Sequence, residues 1–353
     1  MNKSNYKVLG VMSGTSLDGI DLAECTFTNS TDGSWSFQLG CVKTIPYSGP
    51  WKQRLKEGVH FSEGRLRTLN KEYTQYLGEI IAAFIEENQI SSLDGVCSHG
   101  HTILHQPEKG LTLQIGNLPQ IATISKQQVV CDFRVADVAL GGQGAPLVPI
   151  GDRLLFSNYD YCLNLGGFAN ASFEKNGSRI AYDICPVNIV LNSLAEQLGM
   201  PYDDEGRLAR NGSVDKNLLQ VLNEIEFYKQ SPPKSLGLEW VQNHIFPLLK
   251  TYPMVVEDQI ATFTEHIAYQ LAAQFEQGCN VLVTGGGAYN SYLLERVLDY
   301  KKVKLVVPDD KLLEFKEAII FGLLGVLRLR EEVNCLASVT GAKRDHSSGV
   351  IFN

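Results

Sequence analysis

The sequence predicts an α/β fold laid out twice, with a mixed sheet flanked by helices in each half. Three observations carry this expectation. The chain has 353 residues, more than one ordinary core spans. Short apolar runs alternate with helix-length amphipathic stretches in both halves. Each half also opens on the same plan of strand, Gly-containing turn and return strand.

In the first half, Val8 to Met12 is a short apolar strand that enters Ser13-Gly-Thr-Ser-Leu-Asp-Gly19 and returns as Ile20 to Phe27. Strand-like sequence continues to Ile45 past a turn at Thr31 to Ser34. Leu66, Leu69, Tyr73, Leu77, Ile80, Ile81, Phe84 and Ile85 then recur at helical spacing, and Ser62 is placed to cap that helix. Gly95 to Ser98, Leu111 to Ile115 and Val129 to Phe133 read as short strands. The Gly-rich run Gly141 to Pro146 marks the passage between domains 1–145 and 146–353, with a C-terminal segment free to pack back on the first.

The second half begins again with Tyr161 to Leu165, a turn at Gly166 to Phe168, and strands Ala169 to Phe173 and Ile180 to Ile184. A helical stripe of Ile260, Phe263, Ile267, Leu271 and Phe275 runs toward Gly278, a C-cap residue type. Val281 to Val283 is a buried strand followed by Thr284-Gly-Gly-Gly287 and a helix from Asn290 to Leu298. Lys304 to Val307 and a helix from Glu314 to Arg330 complete the pattern.

Composition narrows the function. A formal net charge of −8 argues against a nucleic-acid surface, although phosphate held by backbone N–H groups needs no net positive charge. The longest apolar runs fall short of a bilayer span. The N-terminal residues lead directly into a strand rather than a signal-peptide core. The 8 cysteines include no C-x-x-C pair, which speaks against a disulfide framework or local zinc ligation and for a cytoplasmic address. His99 and His101 lack the i, i+4 spacing of a helical metal pair, so they pack or line a pocket.

Five stretches can carry chemistry. Ser13, Gly14, Thr15 and Ser16 put hydroxyls and N–H groups around one point suited to phosphate, and Asp18 could hold magnesium through water; an ordinary polar hairpin would look the same. Gly285, Gly286 and Gly287, after a buried strand and before a helix, allow a nucleotide close to backbone, or simply make a tight turn. Asp183, at a strand end before Pro186, suits a general base or an N-cap. Asp132 and Arg134, on one face of an extended segment, could meet a polar ligand or each other. Lys234, in a Pro-rich loop, could reach a phosphate or remain solvated.

Gly10-Val-Met-Ser-Gly-Thr-Ser-Leu-Asp-Gly-Ile-Asp21 resembles the opening signature of the anhydro-N-acetylmuramic acid kinases. So do Ser98 to Thr102, Gln114 to Asn117, Asp132 to Arg134, Gly141 to Pro149, Asn164 to Asn170, Gly285 to Gly287 and Val339 to Gly341, in the family's order. The resemblance implies a two-domain actin-like (ribonuclease H-like) fold with an ATP cleft between the domains. It also implies a kinase that hydrolyses the 1,6-anhydro bridge of anhydro-N-acetylmuramic acid and phosphorylates O6 in cell-wall recycling. By position, Ser13, Gly14, Thr15, Ser16, Gly166, Gly167, Gly285, Gly286, Gly287 and Lys234 would face ATP and its phosphates, Asp18 would hold Mg2+ through water, and Asp183 would activate water. His101, Asp132, Arg134, Asn188 and Glu317 would meet the anhydro amino sugar; no nucleic acid or membrane partner is implied, and a homodimer suits the family.

The sequence departs from the family at four places. Cys185 and Val187 stand where the stretch after the base usually has glycines, Asn192 where aspartate is typical, and His101 where glutamine is typical. These departures leave two further readings open: a kinase for another anhydrosugar such as levoglucosan, or a non-catalytic sugar- or nucleotide-binding regulator.

Overall fold

A computed structural model describes residues 3–14 and 16–353. The chain divides into two compact units, Met1–Leu155 with Phe315–Asn353, and Phe156–Glu314. The first boundary lies past the Gly-rich passage because the helix Val148–Leu155 stays with the first unit. Asp152 of that helix forms a buried pair with Lys316 at 2.8 Å. The second boundary falls inside the helix Asp310–Leu329, whose longer part covers the first unit's sheet.

The first unit's strands are β1 (Asn5–Ser13), β2 (Gly19–Asn29), β3 (Trp35–Pro46), β4 (Gly95–Gln106), β5 (Leu111–Ile115) and β6 (Val129–Cys131). The second unit contributes β7 (Tyr161–Leu165), β8 (Phe168–Lys175), β9 (Ser178–Pro186), β10 (Asn280–Thr284) and β11 (Lys304–Val306). A last short strand, β12 (Val350–Phe352), returns to pair with β6.

The two sheets repeat one order. In the first unit it is β3-β2-β1-β4-β6, with β12 beyond β6 and β5 paired to β4; in the second it is β9-β8-β7-β10-β11. In each, three antiparallel strands are followed by two parallel ones laid beside the first. The likeness of the two openings therefore extends to strand order and direction, and this repetition is the actin-like plan.

Burial follows the predicted periodicities. Leu69, Tyr73, Leu77, Ile81 and Phe84 of the helix Glu63–Glu87 are buried against Leu9, Val11 and Val96 of the sheet. Each such aliphatic side chain contributes roughly 1.5–3 kcal/mol on burial. The helix Asp310–Leu329 covers the other face and comes so near β1 that a Cβ at Gly10 would overlap the Ala318 carbonyl, hence the glycine. In the second unit Ile260, Phe263, Ile267 and Leu271 of the helix Val256–Gln274 pack against β7, β9 and β10 through Leu163, Ile184 and Val283.

Local details differ from expectation. The helix Gly49–Glu57 went unpredicted because its residues are mostly polar, with only Leu55 buried. Ser62 occupies the N-cap position without a side-chain capping bond. The stripe toward Gly278 ends earlier, at Gln274, and Gly278 instead takes φ +78 in the turn before β10.

Candidate active site

Ser13 ends β1 and is paired in register with His101 of the parallel β4. Its buried Oγ lies 2.8 Å from His101 Nδ1 and 2.5 Å from the Tyr47 hydroxyl, which is itself 2.5 Å from the Tyr73 hydroxyl. Burial holds the His101 pKa down to about 4 and pushes Tyr47 up to about 12, so the ring is neutral and the phenol keeps its proton. His101 thus lies beneath the turn, bonded to Ser13. Gly14 has open space where a side chain would stand, with Ser16 Oγ nearest at 3.5 Å. Ser16 and Asp18 are exposed, and the Asp18 carboxylate makes no hydrogen bond among the described residues. Thr15 lies outside the described residues.

Asp132 and Arg134 do not share an extended segment. β6 ends at Cys131, Asp132 turns to φ +61, and Arg134 has helical dihedrals at the start of the helix Val135–Ala139. The alternation expected of a strand is therefore broken between them. Arg134 donates from Nε to His99 Nε2 at 2.8 Å and from Nη1 to the Gly144 carbonyl at 2.6 Å. Because a guanidinium only donates, His99 Nε2 is the acceptor, and His99 Nδ1–H donates to the Gly100 carbonyl at 2.9 Å. Burial, with Arg134 beside it, keeps His99 neutral well below the usual histidine range.

Burial brings Arg134 down to about 10, while Glu317 acts in the opposite sense. Part of the Glu317 side chain reaches solvent, yet the protein packed around its carboxyl raises its pKa; Arg134 and Lys316 oppose that rise and Asp21 adds to it. Burial also raises Asp132. The first unit therefore groups Arg134 and Glu317 in one electrostatic cluster with His99, a residue the sequence reading had left between packing and pocket.

In the second unit, Asp183 of β9 is half-buried. Its Oδ2 accepts from Leu236 N–H at 2.8 Å, and its own N–H donates to the Lys234 carbonyl at 3.1 Å. Burial raises its pKa, and the Leu236 bond offsets part of the rise. Lys234 is turned inward: Nζ donates to the Phe227 carbonyl at 3.3 Å and sits over the Phe227 and Tyr182 rings at 4.7 and 5.8 Å. Its backbone serves Asp183. Cys185 and Val187 are both fully buried members of the unit's hydrophobic core.

The glycines of this unit divide into two kinds. Gly285 has φ +83, and a Cβ there would meet Asn164 Oδ1 at 2.6 Å; at Gly287 it would meet the Leu165 side chain at 2.8 Å. Close packing on the end of β7 explains both. Gly166, Gly167 and Gly286 are open, with nothing nearer than 3.4 Å. The Gly166 and Gly167 carbonyls accept from Asn188 and Ile189 N–H at 3.3 Å, which seats the helix Asn188–Glu196. Asn188 Nδ2 donates to the Leu165 carbonyl at 3.3 Å, beside Gly287. The open glycines thus adjoin the start of that helix, whose first N–H groups are taken by the Gly166, Gly167 and Val187 carbonyls.

Sequence reasoning missed Tyr47, Tyr73 and the Leu236 N–H, all of which orient candidate groups. Tyr73 was read only as a member of the helical stripe. A Tyr within an otherwise aliphatic stripe was the available signal, since a buried phenol needs a partner.

The repeated sheet order, three antiparallel strands and two parallel ones in each unit, defines the fold class as actin-like α/β. The chain belongs to the anhydro-N-acetylmuramic acid kinase family, whose model matches residues 6–353. It is 34% identical over 370 residues to the anhydro-N-acetylmuramic acid kinase of Azorhizobium caulinodans, covering 98% of this chain and 99% of that protein. Against the protein of the same name from Francisella tularensis subsp. novicida it is 33% identical over 372 residues, with 96% and 97% covered. Against that of Mannheimia succiniciproducens it is 34% identical over 382 residues, with both chains covered completely at 100%. The protein is accordingly a kinase that uses ATP. No helix of the described residues is long and apolar enough to cross a membrane.

Proposed function

We propose that this kinase acts on anhydro-N-acetylmuramic acid, opening its 1,6-anhydro bridge with water and transferring the γ-phosphoryl group of ATP to O6. The observation that carries the reading is Asp183. One carboxylate oxygen is fixed by Leu236 N–H, the other makes no hydrogen bond among the described residues, and burial raises the group's proton affinity. A fixed, partly desolvated carboxylate is suited to accept a proton from water.

In the reaction, Asp183 takes a proton from water as its oxygen bonds to the anomeric carbon. The bond from that carbon to O6 breaks, O6 bonds to the γ-phosphorus, and ADP leaves. One water is consumed, and the proton passes from Asp183 to solvent. Ser13, Gly14 and Ser16, joined by Gly166, Gly167 and Gly286, are the groups assigned to ATP and its phosphates. Arg134, Glu317, Asp132 and Asn188 are assigned to the sugar. His101 acts through Ser13, and Lys234 through the loop that holds Asp183, instead of contacting sugar and phosphate.

Magnesium fits Asp18, an exposed carboxylate that makes no hydrogen bond among the described residues, because that ion keeps several waters and can be held through them. When bound, it neutralises charge on the transferring phosphates. The same reading places the protein in the cytoplasm, in recycling of cell-wall fragments, and a homodimer suits it.

Cys185 and Val187 were the reason to consider a different anhydrosugar. Their side chains belong to the core, so they supply no specific argument for levoglucosan. The test is to incubate the protein with magnesium-ATP and each anhydrosugar, following ADP release and product mass. Sugar-dependent ADP release with a mass gain of phosphate plus one water is expected for the muramic sugar. Preference for levoglucosan would reject the substrate, and no sugar-dependent release would reject the reading.

A further inference from the structure

The cysteines and histidines show no metal-binding spacing along the sequence, but the fold assembles one group from distant segments. Asp137, Cys335 and His346 place their ligand atoms within 4.8 Å of one another. Asp137 and Cys335 are buried, and the His346 side chain is 8% exposed. Asp137 Oδ1 lies 3.1 Å from Cys335 Sγ and 3.6 Å from His346 Nε2.

The histidine indicates what the group is for. His346 Nδ1 lies 3.2 Å from the Arg344 carbonyl, which can only accept, so the proton sits on Nδ1. With Nδ1 so engaged, Nε2 is the ring nitrogen available to a ligand. That atom is buried, has no hydrogen-bond partner among the described residues, and faces a carboxylate oxygen. A ring nitrogen, a carboxylate oxygen and a thiol sulfur converging in a buried site form a ligand set for a cation.

We propose that Asp137, Cys335 and His346 bind a divalent ion of the zinc class. Metal–ligand bonds of about 2.0–2.3 Å at tetrahedral angles set ligand atoms roughly 3.2–3.6 Å apart, close to the two separations from Asp137 Oδ1. A carboxylate and a thiolate together neutralise a dication, and imidazole with thiolate selects zinc-like ions over magnesium. On binding, the Cys335 S–H bond breaks and its proton leaves to solvent, while sulfur bonds to the ion. Asp137 Oδ1 exchanges the S–H contact for the metal.

Outer contacts already orient the group. Thr340 Oγ1 donates to Asp137 Oδ1 at 2.7 Å, and Gly144 N–H donates to Oδ2 at 2.7 Å. Cys335 and His346 face each other across a backbone bridge, at 3.1 Å from Cys335 N–H to the His346 carbonyl. The Gly144 carbonyl in turn accepts from Arg134. The ion would therefore tie the C-terminal segment to the loop that holds Arg134, a structural role separate from phosphoryl transfer.

The test uses the whole chain. Zinc is measured by mass spectrometry after expression with added zinc and gel filtration, and cobalt(II) is then exchanged in. The proposal expects about one zinc per chain, and a thiolate-to-cobalt charge-transfer band with tetrahedral visible bands. The charge-transfer band should vanish in Cys335→Ser, and affinity should fall at least about ten-fold in His346→Gln. Wild-type protein without retained zinc and without the cobalt bands would overturn it. A band undiminished in Cys335→Ser would also overturn it. If Cys335→Ser does not fold, His346→Gln decides: unchanged metal affinity overturns the proposal.

Discussion

The Ser13 hydroxyl is bound 2.8 Å from His101 Nδ1, a contact made by the parallel pairing of the strand before the turn with the strand 88 residues later. Tyr47 reaches the same oxygen from the end of the antiparallel meander, and its hydroxyl is in turn held by that of Tyr73 from a helix. The Ser13 oxygen is therefore held from several sides before any phosphate arrives, which reduces the ordering cost of binding.

Removing that oxygen should be felt mainly through ATP. A hydrogen bond to a charged group is worth about 1.5–3 kcal/mol, so Ser13→Ala should lower kcat/KM for ATP roughly 10- to 100-fold. His101→Gln, which restores the residue typical of the family, should remain near wild type. Steady-state kinetics with varied ATP checks both, and an unaffected Ser13→Ala would remove Ser13 from the phosphate site.

With Asp183 as the proposed base, turnover should have an acid limit. Burial raises its pKa, the base works only when ionised, and activity should fall as pH drops through that raised value. The acid limb of kcat/KM should therefore lie above the ordinary Asp range. Asp183→Asn should abolish turnover while leaving nucleotide binding, read by calorimetry, close to wild type.

Stability should also decline in acid, for a different reason. His99, His101 and His266 are buried and depressed, with His101 at about 4 and His266 at about 3. The unfolded chain binds protons at these groups near pH 6.5 and the folded chain does not, so stability is complete above that pH and is lost below it. Each contributes up to about 1.4 kcal/mol per pH unit over that window. Denaturant unfolding from pH 7 to 5 should show the slope, and His266→Gln should flatten it.

Cys185 is a fully buried core residue in the folded unit. Cys185→Gly should cost about 1–3 kcal/mol through lost burial and added backbone freedom. Relative kcat/KM for different anhydrosugars should not change. A changed sugar preference would mean that this side chain shapes the sugar site.

What could be read from sequence follows from the range of the forces involved. β1, the turn after it and the helix over it are specified locally, by apolar period and by glycines, and they appear where those patterns place them. Asp132 was misjudged because a positive φ on a non-glycine residue leaves no compositional mark. Lys234 was read as a phosphate contact, but the Phe227 and Tyr182 rings that hold it come from other elements. The Ser13, His101, Tyr47 and Tyr73 network is likewise joined only by strand register and helix packing. Asp137 and Cys335 stand 198 residues apart, beyond any spacing rule.

The central claim is that water attacks carbon while the phosphoryl group goes to O6. It is tested most directly by running the reaction with magnesium-ATP and anhydro-N-acetylmuramic acid in water enriched in heavy oxygen. At the earliest time points the account predicts one label in the sugar and none in the phosphoryl group of the product. Labelled inorganic phosphate with the anhydro bridge intact would show water attacking phosphorus instead, and would contradict it.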